Sequence, residues 1–324
     1  MGAGWRALRR RILTPNVSAT RLDVRGFQEK DPAARELLET VGRMFLAGYA
    51  HAAEARRPAD AETALEQIPV RFRGFAYEGA AMAFTVRDRL PLGGGDHLAG
   101  LLAGRGDAHI YMAYIGIGWA MARLPRFRWP SADRLDPLLR WLVLDGYGFH
   151  QAYFKTARYV HAQHVERDFP WPAGDRSGYA LRAIDQGIGR GMWFVGGTDA
   201  RRVAAMIGGF AEHRRADLFA GAGLAATYAG GADEEELRAF RELAGEHGPQ
   251  VAQGSAFAAE ARLRAGLVVP HTELATRVFC GLEPAKAAQI TIDTRPDGPV
   301  HGELPAFEVW RRRIADELVT LGRY

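Results

Sequence analysis

Arg71-Phe-Arg-Gly-Phe-Ala-Tyr-Glu-Gly-Ala-Ala-Met-Ala-Phe84 combines small, aromatic and ionisable residues in a pattern that returns four times downstream. The echoes are Tyr114-Ile-Gly-Ile-Gly-Trp-Ala-Met-Ala-Arg123, Asp145-Gly-Tyr-Gly-Phe-His-Gln-Ala-Tyr-Phe154, Asp185-Gln-Gly-Ile-Gly-Arg-Gly-Met-Trp-Phe194 and Phe219-Ala-Gly-Ala-Gly-Leu-Ala-Ala-Thr-Tyr228. Gly116 to Gly187 spans 71 residues and Gly146 to Gly221 spans 75, a period of about two helical hairpins, the unit of a stacked α-helical array. The individual spacings are uneven, so a compact pseudo-repetitive domain is expected and an open superhelix is not. Glycine inside a helix costs about 1 kcal/mol against alanine. Its repeated use makes sense where helices approach closely or a pocket wall must stay thin.

Outward from these segments the chain continues to read as helix. Asp31-Pro-Ala-Ala caps a helix whose Leu37, Leu38, Val41, Met44, Phe45 and Tyr49 fall at three- and four-residue spacing. Pro69, Pro125 and Phe169-Pro-Trp-Pro172 are breaks, and Pro91-Leu-Gly-Gly-Gly95 and Gly230-Gly231 are loops. Asp233-Glu-Glu-Glu236 opens a later helix with acid in its first turn, and Glu308 to Leu321 is amphipathic. Only residues 20–25 and 289–294 carry strand character. The expected fold is therefore all-α, with residues 1–30 as an N-terminal arm and 31–324 as one domain of stacked helical hairpins.

Composition narrows the function classes. The 324 residues carry 42 Lys and Arg against 38 Asp and Glu, interleaved along the chain, so no basic face of the kind nucleic acid requires is expected. The single cysteine, Cys280, excludes an internal disulfide, and no apolar run reaches the roughly 20 residues of a membrane span or the length of a signal sequence. The chain thus reads as a cytoplasmic protein of a reducing compartment. In the arm, Leu8, Ile12 and Leu13 beside Arg9, Arg10 and Arg11 fit either a docked terminal helix or peripheral contact with an anionic membrane surface.

Each recurring segment sets an ionisable residue among small ones: Glu78, Asp145, His150, Asp185 and Arg190. Two readings stay open. In the first they form a structural ion-pair network, such as Asp145 or Asp185 with Arg190 or Arg215. In the second they face a shared cavity, where Glu78, Asp145 and Asp185 are acid/base groups, His150 shuttles protons, and Tyr77, Trp119, Tyr147 and Trp193 are aromatic walls for a substrate. No cofactor or metal is expected. The Gly93–Gly95 run lacks the Lys-Ser/Thr of a phosphate loop, Gly187-Ile-Gly-Arg-Gly191 follows no strand, and His161-x-x-His164 with Glu166 lacks usual zinc spacing. Asp133-x-x-Asp136 has diphosphate-motif spacing but lies in a proline-bounded loop.

Leu8-Arg-Arg-Arg-Ile-Leu-Thr-Pro15, Gly74-Phe-Ala-Tyr-Glu-Gly-Ala-Ala-Met-Ala83, Gly116-Ile-Gly-Trp-Ala-Met-Ala-Arg123, Asp145-Gly-Tyr-Gly-Phe-His150, Arg214-Arg-Ala-Asp-Leu218 with Gly221-Ala-Gly-Leu224, and Pro305-Ala-Phe-Glu-Val-Trp-Arg-Arg-Arg-Ile314 together resemble the UnbL-like proteins, domain-of-unknown-function family 1702. The resemblance covers essentially the whole chain. It implies a role in bacterial secondary-metabolite clusters, notably those of enediyne polyketides, beside companion biosynthetic proteins, and it carries no assigned catalytic residue. Two functions fit it. One is a cofactor-independent cyclase or isomerase acting on an apolar polyene intermediate. The other is a non-catalytic helical scaffold or carrier for that intermediate or its companions.

Overall fold

The computed structural model describes residues 3–90, 95–175, 177–298 and 302–321. Residues 91–94 of the expected Pro91–Gly95 loop lie outside them. Among the described residues there are sixteen α-helices: α1 (Ala3–Leu13), α2 (Leu22–Arg25), α3 (Pro32–Glu54), α4 (Pro58–Leu65), α5 (Val70–Arg89), α6 (His97–Leu102), α7 (Ile110–Arg123) and α8 (Trp141–Phe154) in the first half. The second half holds α9 (Tyr179–Val195), α10 (Ala200–Gly208), α11 (Glu212–Ala229), α12 (Glu234–Ala244), α13 (Gly248–Arg264), α14 (Pro270–Cys280), α15 (Pro284–Asp293) and α16 (Ala306–Thr320). Among the described residues there is no strand, so the all-α expectation holds.

Local chemistry sets the helix starts. Asp31 accepts from the Ala34 N–H at 2.8 Å with Pro32 at the first helical position. Asp233 and Glu236 form a capping box that opens α12.

Both segments with strand character are helical. Residues 20–25 span the end of a 3₁₀ turn (Val17–Thr20) and the single turn of α2. In a strand Leu22 and Val24 would share a face, whereas here Leu22 is buried and Val24 exposed, as a helix requires. Residues 289–294 fall on α15 and its cap, where Thr291 is buried and its carbonyl accepts from the Trp310 indole at 2.8 Å. The β-branched Ile-Thr-Ile run is overruled by packing against α13 and α16.

The core row runs α3, α5, α7, α8, α9, α11, α13, each packed mainly on its neighbours in that order, with α10, α12 and α14 forming a second row. Paired glycines make the first row possible. Residues two apart on a helix point about 200° apart, so the two glycines of each Gly-x-Gly face opposite neighbours. Gly146 meets the Ile115 carbonyl of α7 and Gly148 that of Ile184 on α9. Gly187 in turn meets Asp145 on α8, and Gly189 meets Leu218 on α11. A Cβ on Gly187 would lie 1.9 Å from the Asp145 carbonyl oxygen, so backbones touch where side chains normally intervene. The repeat seen in the sequence is therefore one crossing per helix, and its uneven spacing arises because α10 and α12 are interposed between successive members of the row.

Candidate functional site

The same 200° geometry sorts the polar residues. The residue before the first glycine lies on one face of the row, and the residue between the glycines lies on the other. Glu78, Asp145 and Gln186 occupy the first position, before Gly79, Gly146 and Gly187, and Arg190 is one turn beyond Gln186. These four meet in the interior, and all are buried. Asp145 accepts from Arg190 Nη1 at 2.8 Å and from Gln186 Nε2 at 2.6 Å, so its charge is paired and hydrogen-bonded.

Glu78 is different. It is 1% exposed, yet neither carboxylate oxygen accepts a hydrogen bond among the described residues. Burial pushes its pKa up to about 8, with Arg190 pulling down and Asp145 pushing up. The nearby Trp119 indole pulls slightly down but makes no hydrogen bond of acceptable geometry. The acid form thus predominates at neutral pH with the carboxylate within thermal reach. Arg190 Nε, Gln186 Oε1 and Tyr228 Oη are also buried without a partner among the described residues.

Two apolar voids flank this centre. The first is a narrow cavity of about 50 Å³. Phe45, Phe75, Met82, Trp119, Phe149 and Phe194 wall it, and Glu78 is its only acid among the described lining residues. The second, of about 30 Å³, is lined by residues including Ile115, Leu224, Phe257 and Trp310, and by Arg190 and Tyr228.

The other sequence candidates are placed elsewhere. Asp185 is bound by Arg214 at 2.5 and 2.9 Å, although burial still raises its pKa, and Arg215 caps the Phe210 carbonyl. His150 is buried edge-on to Trp119; burial and then Arg123 lower its pKa to about 3, so it is neutral. Tyr77 donates to Glu66 at 2.7 Å and stacks on His109. Tyr147, between its two glycines, faces the opposite side and donates to Glu166 at 2.7 Å. Trp193 donates to the Gly230 carbonyl at 2.9 Å and packs on Phe240. Of the nine candidates, Glu78 and Trp119 line the first void, Arg190 lines the second, and Asp145 holds Arg190 in place.

Glu166 also accepts from Tyr159, and His164 lies 2.6 Å from Arg158. Asp136 Oδ1 accepts from the Leu138 and Leu139 N–H groups. Among the described residues no three His, Cys, Asp or Glu side chains are grouped to hold a metal. Sequence reasoning missed Gln186, Tyr228 and most of the aromatic wall. The position before the first glycine would have found Gln186; Tyr228 comes to α5 only in the folded structure, its ring edge-on to Phe75 and its hydroxyl against Gly74.

Residues 4–318 match the sequence model of a family described as protein of unknown function, DUF1702. Comparisons with curated proteins and with solved structures give no match.

Proposed function

We propose a function for a chain that belongs to the DUF1702 family of proteins of unknown function: it is a cofactor-independent enzyme that shifts a double bond, or closes a ring, in an apolar polyene intermediate. The observation that carries this is Glu78, a buried carboxyl without a partner among the described residues, in a narrow cavity of otherwise apolar and aromatic character. A structural carboxylate of equal burial would hold an arginine, as Asp145 does.

In its acid form Glu78 gives its proton to one carbon of the conjugated chain. The allyl-type cation that results faces the rings of Trp119 and Phe149, whose π faces attract positive charge. The Glu78 carboxylate then takes a proton from another carbon, which regenerates the acid and leaves the product isomeric with the substrate. Capture of the cation by a second double bond before that loss gives the cyclase outcome. Asp145, itself hydrogen-bonded by Gln186, holds Arg190 as a fixed neighbour that limits how far the Glu78 pKa rises.

The biosynthetic setting we propose, enediyne polyketide metabolism, is supported by the resemblance of the repeated motifs and fits an elongated unsaturated substrate. The competing reading, a non-catalytic carrier, is favoured by the apolar void alone, since burial of the intermediate needs no acid. Complementing a deletion strain with Glu78→Gln separates them. The amide keeps shape but carries no titrating proton, so the enzyme reading expects product to fall by about 10²-fold or more while an intermediate accumulates. Full product from a folded Glu78→Gln protein overturns it in favour of the carrier.

A further inference from the structure

The amphipathic helix α1 is docked by its arginines and turns its apolar stripe outward. Arg9 Nε donates to the Ala53 carbonyl at 2.5 Å, and Arg9 Nη2 donates to those of Glu54 and Ala55 at 3.1 and 2.9 Å. Arg10 adds an ion pair with Glu54 at 2.8 Å. These contacts place positive charge at the C-terminus of α3, where free carbonyls and the helix dipole favour it. Leu13 packs on the core from the same side.

Trp5, Leu8 and Ile12 fall within an arc of about 60° at 100° per residue and are 47%, 47% and 67% exposed. Ordinary docking of an amphipathic helix would bury this stripe. Instead it faces solvent, with exposed Arg11 at its edge, on a helix with four arginines and no acid. Val17, just beyond, is exposed as well.

The chain that leaves α1 reaches the Glu78 cavity. Pro15, Ala19 and Thr20, the segment following α1, line that cavity. Half-buried Pro15, Ala19, Gly42 and Leu46 and exposed Arg123 mark its outer end, and fully buried Glu78 its inner end. No helix among the described residues is long and apolar enough to cross a membrane.

We propose that α1 lays its Trp5–Leu8–Ile12 face into an anionic lipid surface, with Arg11 and Arg123 meeting the headgroups. The cavity mouth then opens at the interface, where an apolar substrate of the kind proposed above partitions. Charge decides the occupant: an apolar stripe on a helix that carries four arginines and no acid matches anionic lipid. An eleven-residue helix binds weakly alone, so binding is reversible.

Co-sedimentation of the full chain with vesicles of phosphatidylcholine alone, or mixed with phosphatidylglycerol, tests this. The full chain is expected to pellet with the mixed vesicles and to be released by salt. Combined Trp5→Ser, Leu8→Ser and Ile12→Ser substitution, at exposed positions that leave the fold intact, should weaken binding at least tenfold, and Arg11→Gln roughly fivefold. A chain that stays in the supernatant, or a triple variant that pellets equally, overturns the proposal. So does a dimer that the triple variant abolishes without any vesicle binding, which would make the stripe a contact between copies. Glu78→Gln should pellet like the unaltered chain, so docking and catalysis fail or stand by separate readouts.

Discussion

Glu78 and Asp217 are both 1% exposed, yet their surroundings are opposite. Asp217 accepts from Arg182 Nε at 2.8 Å and from Arg311 Nη1 at 2.7 Å. Arg311 reaches on to the Tyr179 hydroxyl, Gln253 and Glu308, and Glu308 also holds Arg182 and Arg312 at 2.8 Å. Each charge in that cluster has an opposite charge in contact, and the cluster ties α16 to α9 and α11. Glu78 has none of this. Arg73, its neighbour in sequence, is turned to Glu66 at 3.2 Å, and Arg190 is taken by Asp145 at 2.8 Å. Burial alone therefore does not separate structural from reactive carboxyls. The separating feature is whether the desolvated charge has been given a counter-charge.

Removing a partner should hurt most where pairing is complete. Asp217→Ala leaves buried Arg311 and half-buried Arg182 short of charge and is expected to cost about 3–5 kcal/mol in urea unfolding. A cost below about 1 kcal/mol would mean the two regions do not differ as described.

The pH dependence should separate them next. The folded-state pKa of Glu78, about 8, lies above its ordinary 4.5, so its contribution to stability is fully present below pH 4.5 and is lost as pH rises through 8. The difference, 8 − 4.5, corresponds to at most about 5 kcal/mol. Water drawn toward the ionised group reduces this to roughly 2–3 kcal/mol. Unfolding of Glu78→Gln between pH 5 and 9 should lack that decline and leave the variant more stable than the unaltered chain at pH 9. Parallel pH profiles would show that Glu78 is compensated after all.

The smallest effects sharpen the geometry beneath both regions. Gly187→Ala gains about 1 kcal/mol of helix propensity but forces α8 and α9 apart, so a net loss of roughly 1–3 kcal/mol is expected by thermal unfolding. The control is Gly208→Ala, where nothing lies within 4 Å of the added methyl and a gain of up to about 1 kcal/mol is expected. Equal behaviour at the two sites would remove the close crossings as the cause of the repeat.

The sequence by itself determined the helices and the faces they present. Capping residues mark where α3 and α12 begin, and the Gly-x-Gly signature lets each row helix be gripped from two opposite sides, because 3.6 residues per turn makes that a local property. Reading Tyr147 as a wall of the same cavity as Glu78 and Asp145 fails, because the structure turns it to the opposite face, toward Glu166. Residues 20–25 and 289–294 were misread because short β-branched or alternating runs have too little period to outweigh packing. Only the tertiary structure decided the partners. Asp145 and Asp185 were candidates of the same kind as Glu78, and they acquired Arg190 and Arg214 through contacts 45 and 29 residues away in sequence. Glu78 was left without one because both arginines near it found other carboxylates. Coulomb energy and desolvation depend on distances of a few ångströms between helices remote in the chain, and no local pattern encodes those.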